Sequence, residues 1–118
     1  MYQQKEDTMT EISARDFDRE VMNCKLPVFA CFVTRWCHSC YPTCLLAEEL
    51  AGDYDGRVKF VKVDIKESPE IAERYNIIVV PTIFLFQDSQ PVKKLVGFQE
   101  QKSLRALLNG ATAEMRQQ

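Results

Sequence analysis

The chain has 118 residues, of which 46% are hydrophobic and 27% charged, and this composition predicts one ordinary globular domain. The formal net charge of -2 argues against a nucleic-acid partner, because binding to phosphate backbones needs a concentrated Lys/Arg surface. No stretch approaches the roughly 18 consecutive apolar residues that would span a bilayer, so we expect no membrane association.

The N-terminal segment 1–10 is polar and has no apolar core of a secretory signal, so we expect a cytoplasmic protein. We predict a flexible tail over 1–9 and a single domain over 10–118. The chain contains 5 cysteines, and an odd number argues against a closed disulfide framework. In a reducing compartment, clustered cysteines are more often catalytic or metal-binding than structural.

The first half of the chain predicts a helix, a buried strand and a second helix. Ser13 followed by Asp16 resembles a capping box that opens a helix over 14–23. The apolar run 28–33 after Pro27 is typical of a strand buried on both faces. A helix is expected from Cys40 to Ala51 and is expected to end at Gly52.

The second half predicts alternating elements and then a hairpin. We expect a strand over 58–65, a short helix over 69–75, and strands over 82–86 and 92–96 joined by a turn at 87–90. The last helix begins near Glu100 and is expected to end at Asn109-Gly110. This order predicts an α/β fold, with a mixed sheet and helices on both of its faces.

A tryptophan and two cysteines follow the 28–33 strand directly and open the next helix, in the order Trp36-Cys37-His38-Ser39-Cys40. Val79-Val80-Pro81-Thr82 follows about 40 residues later, before another strand, and such an ordered combination is far more specific than a lone C-x-x-C. Over roughly 12–108 the chain resembles the thioredoxin family. The resemblance implies a thioredoxin fold, with a central mixed sheet of four to five strands, and a cis-proline at Pro81.

The resemblance implies thiol–disulfide exchange by Cys37 and Cys40. Cys37 is the expected nucleophile, because the positive end of a helix dipole favours a thiolate. Cys40, one turn further into the helix, is the expected resolving thiol. His38 is the expected tuning residue, since its cationic form would stabilise the Cys37 thiolate and make the disulfide more oxidising. A solvated histidine without effect is the alternative.

The resemblance also implies a substrate surface around Cys37, formed by Trp36, Val79, Val80, Pro81, Gly97 and Phe98. In this family the backbone before the cis-proline pairs with an extended substrate, and a glycine at 97 permits close approach of another backbone. Plain core packing is the alternative for the two valines.

Three features depart from the family pattern. The spacer is His38-Ser39 instead of Gly-Pro, and Leu45 replaces a helix-kinking proline. Cys31 occupies the strand position of a buried aspartate, opposite Lys62, so Cys31 and Lys62 are expected to act on the site through Cys40. We interpret Cys31 as a small core side chain and expect Lys62 to extend outward, with water transferring the proton.

Cys44, one turn after Cys40, is interpreted as a buried, inert thiol, and a regulatory thiol is the alternative. Cys24 is expected in a loop or at a helix end.

The predicted function is an electron-donating protein disulfide reductase. We expect a monomer that needs no cofactor or metal, acts on disulfide-containing proteins and is recharged by a thioredoxin reductase. One alternative is a more oxidising oxidant or isomerase tuned by His38. The others are a metal-binding module on Cys37, His38, Cys40 and Cys44, and a partner-binding thioredoxin fold with idle cysteines.

Overall fold

The computed structural model describes residues 9–116. Met9 belongs to the first strand and is buried, so the N-terminal tail expected over 1–9 overlaps the fold by one residue. The rest of that tail, 1–8, lies outside the described residues. Within 9–116 no helix is both long and apolar enough to cross a membrane.

The fold is built on one mixed sheet, as the sequence predicts. Its strands lie in the order β1-β3-β2-β4-β5, where β1 is parallel to β3, β3 is parallel to β2, and the other pairs are antiparallel. The strands are β1 (Met9–Glu11), β2 (Val28–Val33), β3 (Lys59–Asp64), β4 (Thr82–Gln87) and β5 (Gln90–Val96). The edge strand β1 is the one strand that the sequence analysis does not place.

Strand β2 lies at the centre of the sheet and is buried along its whole length. Side chains alternate between the faces of a strand, so Phe29, Cys31 and Val33 join one core cluster while the alternate residues join the other. The continuous apolar run that predicted this strand therefore serves two cores at once.

Four helices cover the two faces: α1 (Ala14–Phe17, continued as a π-helical segment over Asp18–Met22), α2 (Cys40–Asp53), α3 (Pro69–Arg74) and α4 (Gln101–Arg116). Helices α2 and α4 contribute buried side chains to the core on the Cys31 side, and α1 and α3 contribute to the core on the opposite side. This arrangement confirms the predicted helices on both faces of the sheet.

The start of α1 differs from the predicted capping box. The Ser13 hydroxyl lies 3.5 Å from the Asp16 carboxylate and does not cap a backbone N–H. Instead, the Ala14 N–H donates to the hydroxyl of Ser68, at a distance of 2.9 Å. A residue distant in sequence thus satisfies the helix end, which local spacing cannot reveal.

Both glycine stops were wrong. Helix α2 continues through Gly52 to Asp53, and Tyr54 directly after it is buried. Helix α4 continues through Gly110, because Ala111 and Thr112 extend its buried stripe. A glycine inside a helix costs about 1 kcal/mol, which the burial of one further turn outweighs.

Candidate active site

The two predicted reactive cysteines lie where the central strand gives way to a helix. Strand β2 ends at Val33, and α2 begins at Cys40. The Cys37 N–H donates to the carbonyl oxygen of Thr34 at 3.2 Å, which turns the chain into the helix. Cys37 and Cys40 are joined by a disulfide bond. The spacing of the two cysteines at the start of the helix therefore allows a disulfide between them.

The two sulfurs of this disulfide have unequal access to solvent. Cys37 is half-buried, whereas only 3% of Cys40 is exposed. The Cys40 N–H is shared between the Cys37 sulfur, 3.1 Å away, and the Cys37 carbonyl oxygen, 3.2 Å away, as is common in the first turn of a helix. An incoming group can therefore reach Cys37, and the negative charge of its thiolate has a backbone donor nearby.

The spacer residues between the cysteines play different parts. The hydroxyl of Ser39 lies 3.3 Å from the Cys37 sulfur, a contact that the sequence analysis does not assign. A serine beside a C-x-x-C thiol is the only sequence signal for it. His38 is exposed and lies at the rim of the same site, adjacent to Cys37 in the chain.

The loop before β4 reaches the disulfide from the other side. The peptide bond between Val80 and Pro81 is cis, and the Val80 carbonyl oxygen lies 3.9 Å from the Cys37 sulfur. The Thr82 hydroxyl donates to the Val79 carbonyl at 2.5 Å, which fixes the loop. The backbone of Val80 is thus held beside the reactive sulfur.

The glycine loop after β5 is tied to the same place. The Gly97 N–H donates to the Pro81 carbonyl at 2.7 Å, and Gly97 adopts φ +85, a conformation that other residues rarely tolerate. Of the predicted surface residues, Pro81 is buried and Val80 is half-buried. Pro81 therefore offers no exposed side chain to a substrate, and Val80 offers a partly exposed one.

Exposed apolar side chains accompany this backbone. Trp36 is 82% exposed, Phe98 53% and Val79 46%. Ile78, which is not among the predicted surface residues, is 84% exposed and continues an apolar run with Val79. Several exposed apolar side chains grouped together are typical of a contact surface. We name Trp36, Ile78, Val79 and Phe98 the apolar rim.

A cavity of about 650 Å³ opens on the α2 side of the disulfide. It is lined by both bonded cysteines and by Cys44, Lys62 and Asp64 among others. The Asp64 carboxylate is buried and accepts hydrogen bonds from the Lys66 and Glu67 N–H groups, at 2.8 and 3.3 Å. Lys62 is half-buried and reaches this cavity, which agrees with the outward direction expected for it.

Cys31 lies beneath this cavity and is fully buried. It is paired in register with Lys62 on β3. Because this position of β2 holds a cysteine, it supplies no carboxylate to face Lys62. Interaction with the Cys44 thiol and then burial raise the pKa of Cys31 well above 9.0. Cys31 is therefore a protonated thiol at neutral pH and does not replace the base that an aspartate would supply.

The predicted alternative of a metal site depends on Cys37, His38, Cys40 and Cys44. Across the described range, 9–116, no three His, Cys, Asp or Glu side chains converge so that they could hold a metal ion. Cys24, the remaining free cysteine, is half-buried and belongs to the core on the other face of the sheet.

A mixed five-stranded sheet whose central strand leads to a disulfide-bonded C-x-x-C pair at a helix N-terminus defines a class, the thiol–disulfide oxidoreductases. The family model described as Thioredoxin matches residues 8–110 of this chain.

Similar proteins agree with that match. A thioredoxin of Staphylococcus aureus is 36% identical over 101 residues, which cover 86% of this chain and 95% of the relative. Thioredoxins of Staphylococcus epidermidis and Staphylococcus haemolyticus are 41% and 40% identical over 78 residues, which cover 66% of this chain and 75% of each relative. The chain belongs to the thioredoxin family.

Proposed function

We propose that this protein is an electron-donating protein disulfide reductase, with Cys37 as the nucleophile and Cys40 as the resolving thiol. The observation that carries the proposal is the unequal access of the bonded pair: Cys37 is reachable, and Cys40 is 3% exposed behind it. A substrate can therefore reach Cys37 and not Cys40, which supports Cys37 as the nucleophile and Cys40 as the resolving thiol.

The reduced protein would act in two steps. The Cys37 thiolate attacks one sulfur of a substrate disulfide, which forms a mixed disulfide and releases the other substrate sulfur as a thiolate that takes up a proton. Cys40 then loses its proton and attacks the Cys37 sulfur, which releases the second substrate thiol. The substrate gains two electrons and two protons, and the enzyme is left with the Cys37–Cys40 disulfide.

Substrate binding is assigned to backbone and apolar contacts. The Val80 carbonyl beside Cys37 offers a hydrogen-bond acceptor to an extended substrate segment. The apolar rim surrounds it with side chains that can contact many sequences without selecting one. We therefore assign disulfide-containing proteins as substrates, and a thioredoxin reductase as the partner that returns the disulfide to the dithiol.

We further propose that the protein is a monomer with a single domain that includes Met9, and that it lies in the cytoplasm. His38 tunes the thiolate of Cys37 from its exposed position.

The reduction potential of the Cys37–Cys40 pair tests the direction of electron flow. The protein is equilibrated in graded dithiothreitol buffers, and trapped thiols are located by mass spectrometry. We expect a two-thiol transition near about -270 mV, typical of reducing proteins of this fold. A value near about -120 mV would contradict the proposal and support the oxidant with His38 as its tuning residue.

A trapping experiment tests the two cysteine roles separately. We expect Cys40→Ser to accumulate a mixed disulfide through Cys37 with a protein substrate such as insulin, because the resolving thiol is gone. Cys37→Ser should trap nothing, and Cys24→Ser, on the far face of the sheet, should behave as wild type. Trapping through Cys40 in the Cys37→Ser variant would reverse the assignment.

The apolar rim is tested by Ile78→Ser against a matched control, Val92→Ser on the edge strand β5, where the side chain is 45% exposed. Ile78→Ser should raise KM for insulin while leaving the reduction potential and the unfolding midpoint unchanged, because the side chain contacts solvent in the free protein. Equal KM values for the two variants would remove Ile78 from the binding surface.

A further inference from the structure

Two of the three free cysteines lie next to each other under the disulfide. Cys31 is on the central strand β2, and Cys44 is on α2, one helical turn after Cys40. Cys31 belongs to the core cluster between the sheet and this helix, Cys44 packs against that cluster, and interaction with Cys44 is the main cause of the raised pKa of Cys31. The exchange between Cys37 and Cys40 uses neither of them.

Cys44 and Cys31 differ in their access to solvent, as Cys37 and Cys40 do. Cys44 is half-buried and lines the cavity of about 650 Å³, whereas Cys31 is fully buried and does not line it. This volume lies within the range of pockets that hold small molecules, about 300–1,000 Å³. A molecule in the cavity can therefore contact the Cys44 thiol but not the Cys31 thiol.

The surrounding charges favour a thiolate on Cys44 rather than on Cys31. The hydrogen bond from the Cys31 thiol lowers the pKa of Cys44 below 9.0, and the Lys62 ammonium acts in the same direction. Partial burial and the Glu48 carboxylate oppose this shift. The reachable thiol is thus the better nucleophile, and the hidden thiol stays protonated as its donor.

We propose that Cys44 and Cys31 form a second dithiol–disulfide couple, in which Cys44 reacts with a small-molecule disulfide that enters the cavity and Cys31 resolves the product. This proposal goes beyond the reductase activity, since it needs no turnover of Cys37 and Cys40.

The reaction consumes one small disulfide and releases two small thiols. The Cys44 thiolate attacks one sulfur, so that a Cys44 mixed disulfide forms and the other half leaves as a thiolate, which takes up a proton. Cys31 then attacks the Cys44 sulfur, and its proton passes to the departing small thiolate. The Cys31–Cys44 bond forms, and the second small thiol leaves into the cavity. The protein loses two electrons and two protons to the small disulfide.

The new bond would join α2 to the central strand directly beneath the active-site disulfide. Cys40 lies one turn before Cys44, so the couple would cross-link the turn of α2 that carries the resolving sulfur. The sequence allows Cys44 to be a regulatory thiol, and the proposal makes it one of a regulatory pair with Cys31.

The test uses the full chain with Cys37 and Cys40 already bonded, as in this structure. The protein is incubated with excess glutathione disulfide, quenched at intervals with an alkylating reagent, and mapped by peptide mass spectrometry. We expect a transient glutathione adduct on Cys44, followed by a Cys31–Cys44 disulfide that leaves Cys24 as the remaining free thiol. Because the Cys37–Cys40 pair stays oxidised, its function does not affect the result.

Three variants assign the roles. Cys31→Ala, which keeps a small apolar side chain in the core, should stop at a stable glutathione adduct on Cys44. Cys44→Ser should abolish both products, and Cys24→Ser should change neither. Circular dichroism spectra check that each variant is folded, and the wild-type result decides the proposal if Cys31→Ala is not.

Two results would overturn this proposal. One is modification of Cys24 faster than Cys44, which would show that Cys44 is not the preferred nucleophile. The other is a glutathione adduct that persists on Cys44 in the wild type, which would show that Cys31 does not resolve it.

Discussion

Cys37 and Cys40 are chemically identical side chains, separated by a single helical turn, yet their surroundings make them different. Cys37 lies before the first residue of α2, is half-buried, and receives the Cys40 N–H at its sulfur. Cys40 is the first residue of the helix and packs against the core of the sheet. Access and the helix dipole, rather than residue type, distinguish the nucleophile from the resolving thiol.

The Ser39 hydroxyl beside Cys37 leads to a prediction for the reduction potential. In the reduced protein this hydroxyl can donate to the thiolate, which stabilises the dithiol form relative to the disulfide. We expect Ser39→Ala to lower the potential by about 10–30 mV, because a hydrogen bond is worth about 0.5–1.5 kcal/mol and about 1.4 kcal/mol corresponds to 30 mV. Equilibration in dithiothreitol buffers measures it.

The control for this prediction is Ser103→Ala, an exposed serine on α4 that is remote from the disulfide. Its potential should match that of the wild type. A potential that rises in Ser39→Ala would show that the hydroxyl favours the disulfide form instead.

At the level of elements, both long helices continue past the glycines that were expected to end them. In α4 the buried residues Leu104, Leu108, Ala111 and Thr112 recur at helical spacing on both sides of Gly110. The Thr112 hydroxyl donates to the Leu108 carbonyl at 3.1 Å across that glycine. Packing against the sheet decides the length of the helix, and the local preference of one residue does not.

Gly110 is therefore a site where a substitution should stabilise the protein. A Cβ atom added at this position has no heavy atom within 4 Å. We expect Gly110→Ala to raise the free energy of unfolding by about 0.5–1 kcal/mol, because alanine loses less backbone entropy in a helix. Urea denaturation measures the change.

Gly56 provides the matched control, since it also has open space around its Cβ position but adopts φ +83. Gly56→Ala should destabilise the protein by about 1–2 kcal/mol, because the left-handed conformation is costly for alanine. If both substitutions changed stability in the same direction, backbone conformation would not be the cause.

An ion pair fastens the π-helical segment of α1 to β3. Lys59 contacts the Glu20 carboxylate and donates to its backbone carbonyl at 3.0 Å, and both side chains are about one-third exposed or less. The hydrogen bond from Lys59, with help from Arg19, lowers the pKa of Glu20 below its ordinary value of 4.5. The Glu20 carboxylate therefore takes up a proton less readily in the folded protein than in the unfolded chain.

Stability should depend on pH accordingly. The contribution of Glu20 is fully present above pH 4.5 and is lost as the pH falls through its folded pKa. We expect Glu20→Gln to reduce stability by about 0.5–1 kcal/mol at neutral pH and to lose that effect in acid. Urea denaturation across pH, with Glu49→Gln as an exposed control, measures this; a pH-independent gap would point to packing instead.

On the scale of the whole molecule, the sheet separates two cores, and the redox pair lies at the end of the central strand that serves both. The reduction potential of such a pair is linked to the stability of the entire fold. A disulfide that stabilises the folded protein must, by the same cycle, be harder to reduce in the folded protein than in the unfolded chain.

This linkage gives a second test of the proposed electron donor. We expect the free energy of unfolding to be about 2 kcal/mol higher for the oxidised protein than for the reduced protein. The difference arises because the disulfide closes a short loop and so lowers the entropy of the denatured chain. Chemical denaturation of the two forms measures it. A more stable reduced form would favour the oxidant, whose dithiol is the stabilised state.

Features that depend on neighbouring residues could be predicted from the chain alone. The central strand follows from the apolar run 28–33, since only a strand with two buried faces needs apolar residues at consecutive positions. The pair at Cys37 and Cys40 was implied by the family resemblance that residues 36–40 and 79–82 carry. The α/β order and the family follow from such local patterns taken together.

Features that depend on residues far apart in the chain follow from how the elements pack. The cap of α1 comes from Ser68, and the continuation of α4 comes from its packing against the sheet. The contact between Cys31 and Cys44 exists because α2 packs on β2. The exposure of Ile78 also depends on packing. Its side chain is apolar, but no element of the fold packs over enough of it to bury it. Hydrophobic periodicity predicts the face of a helix or strand on which a residue lies, but the residues that it contacts there depend on how the elements pack.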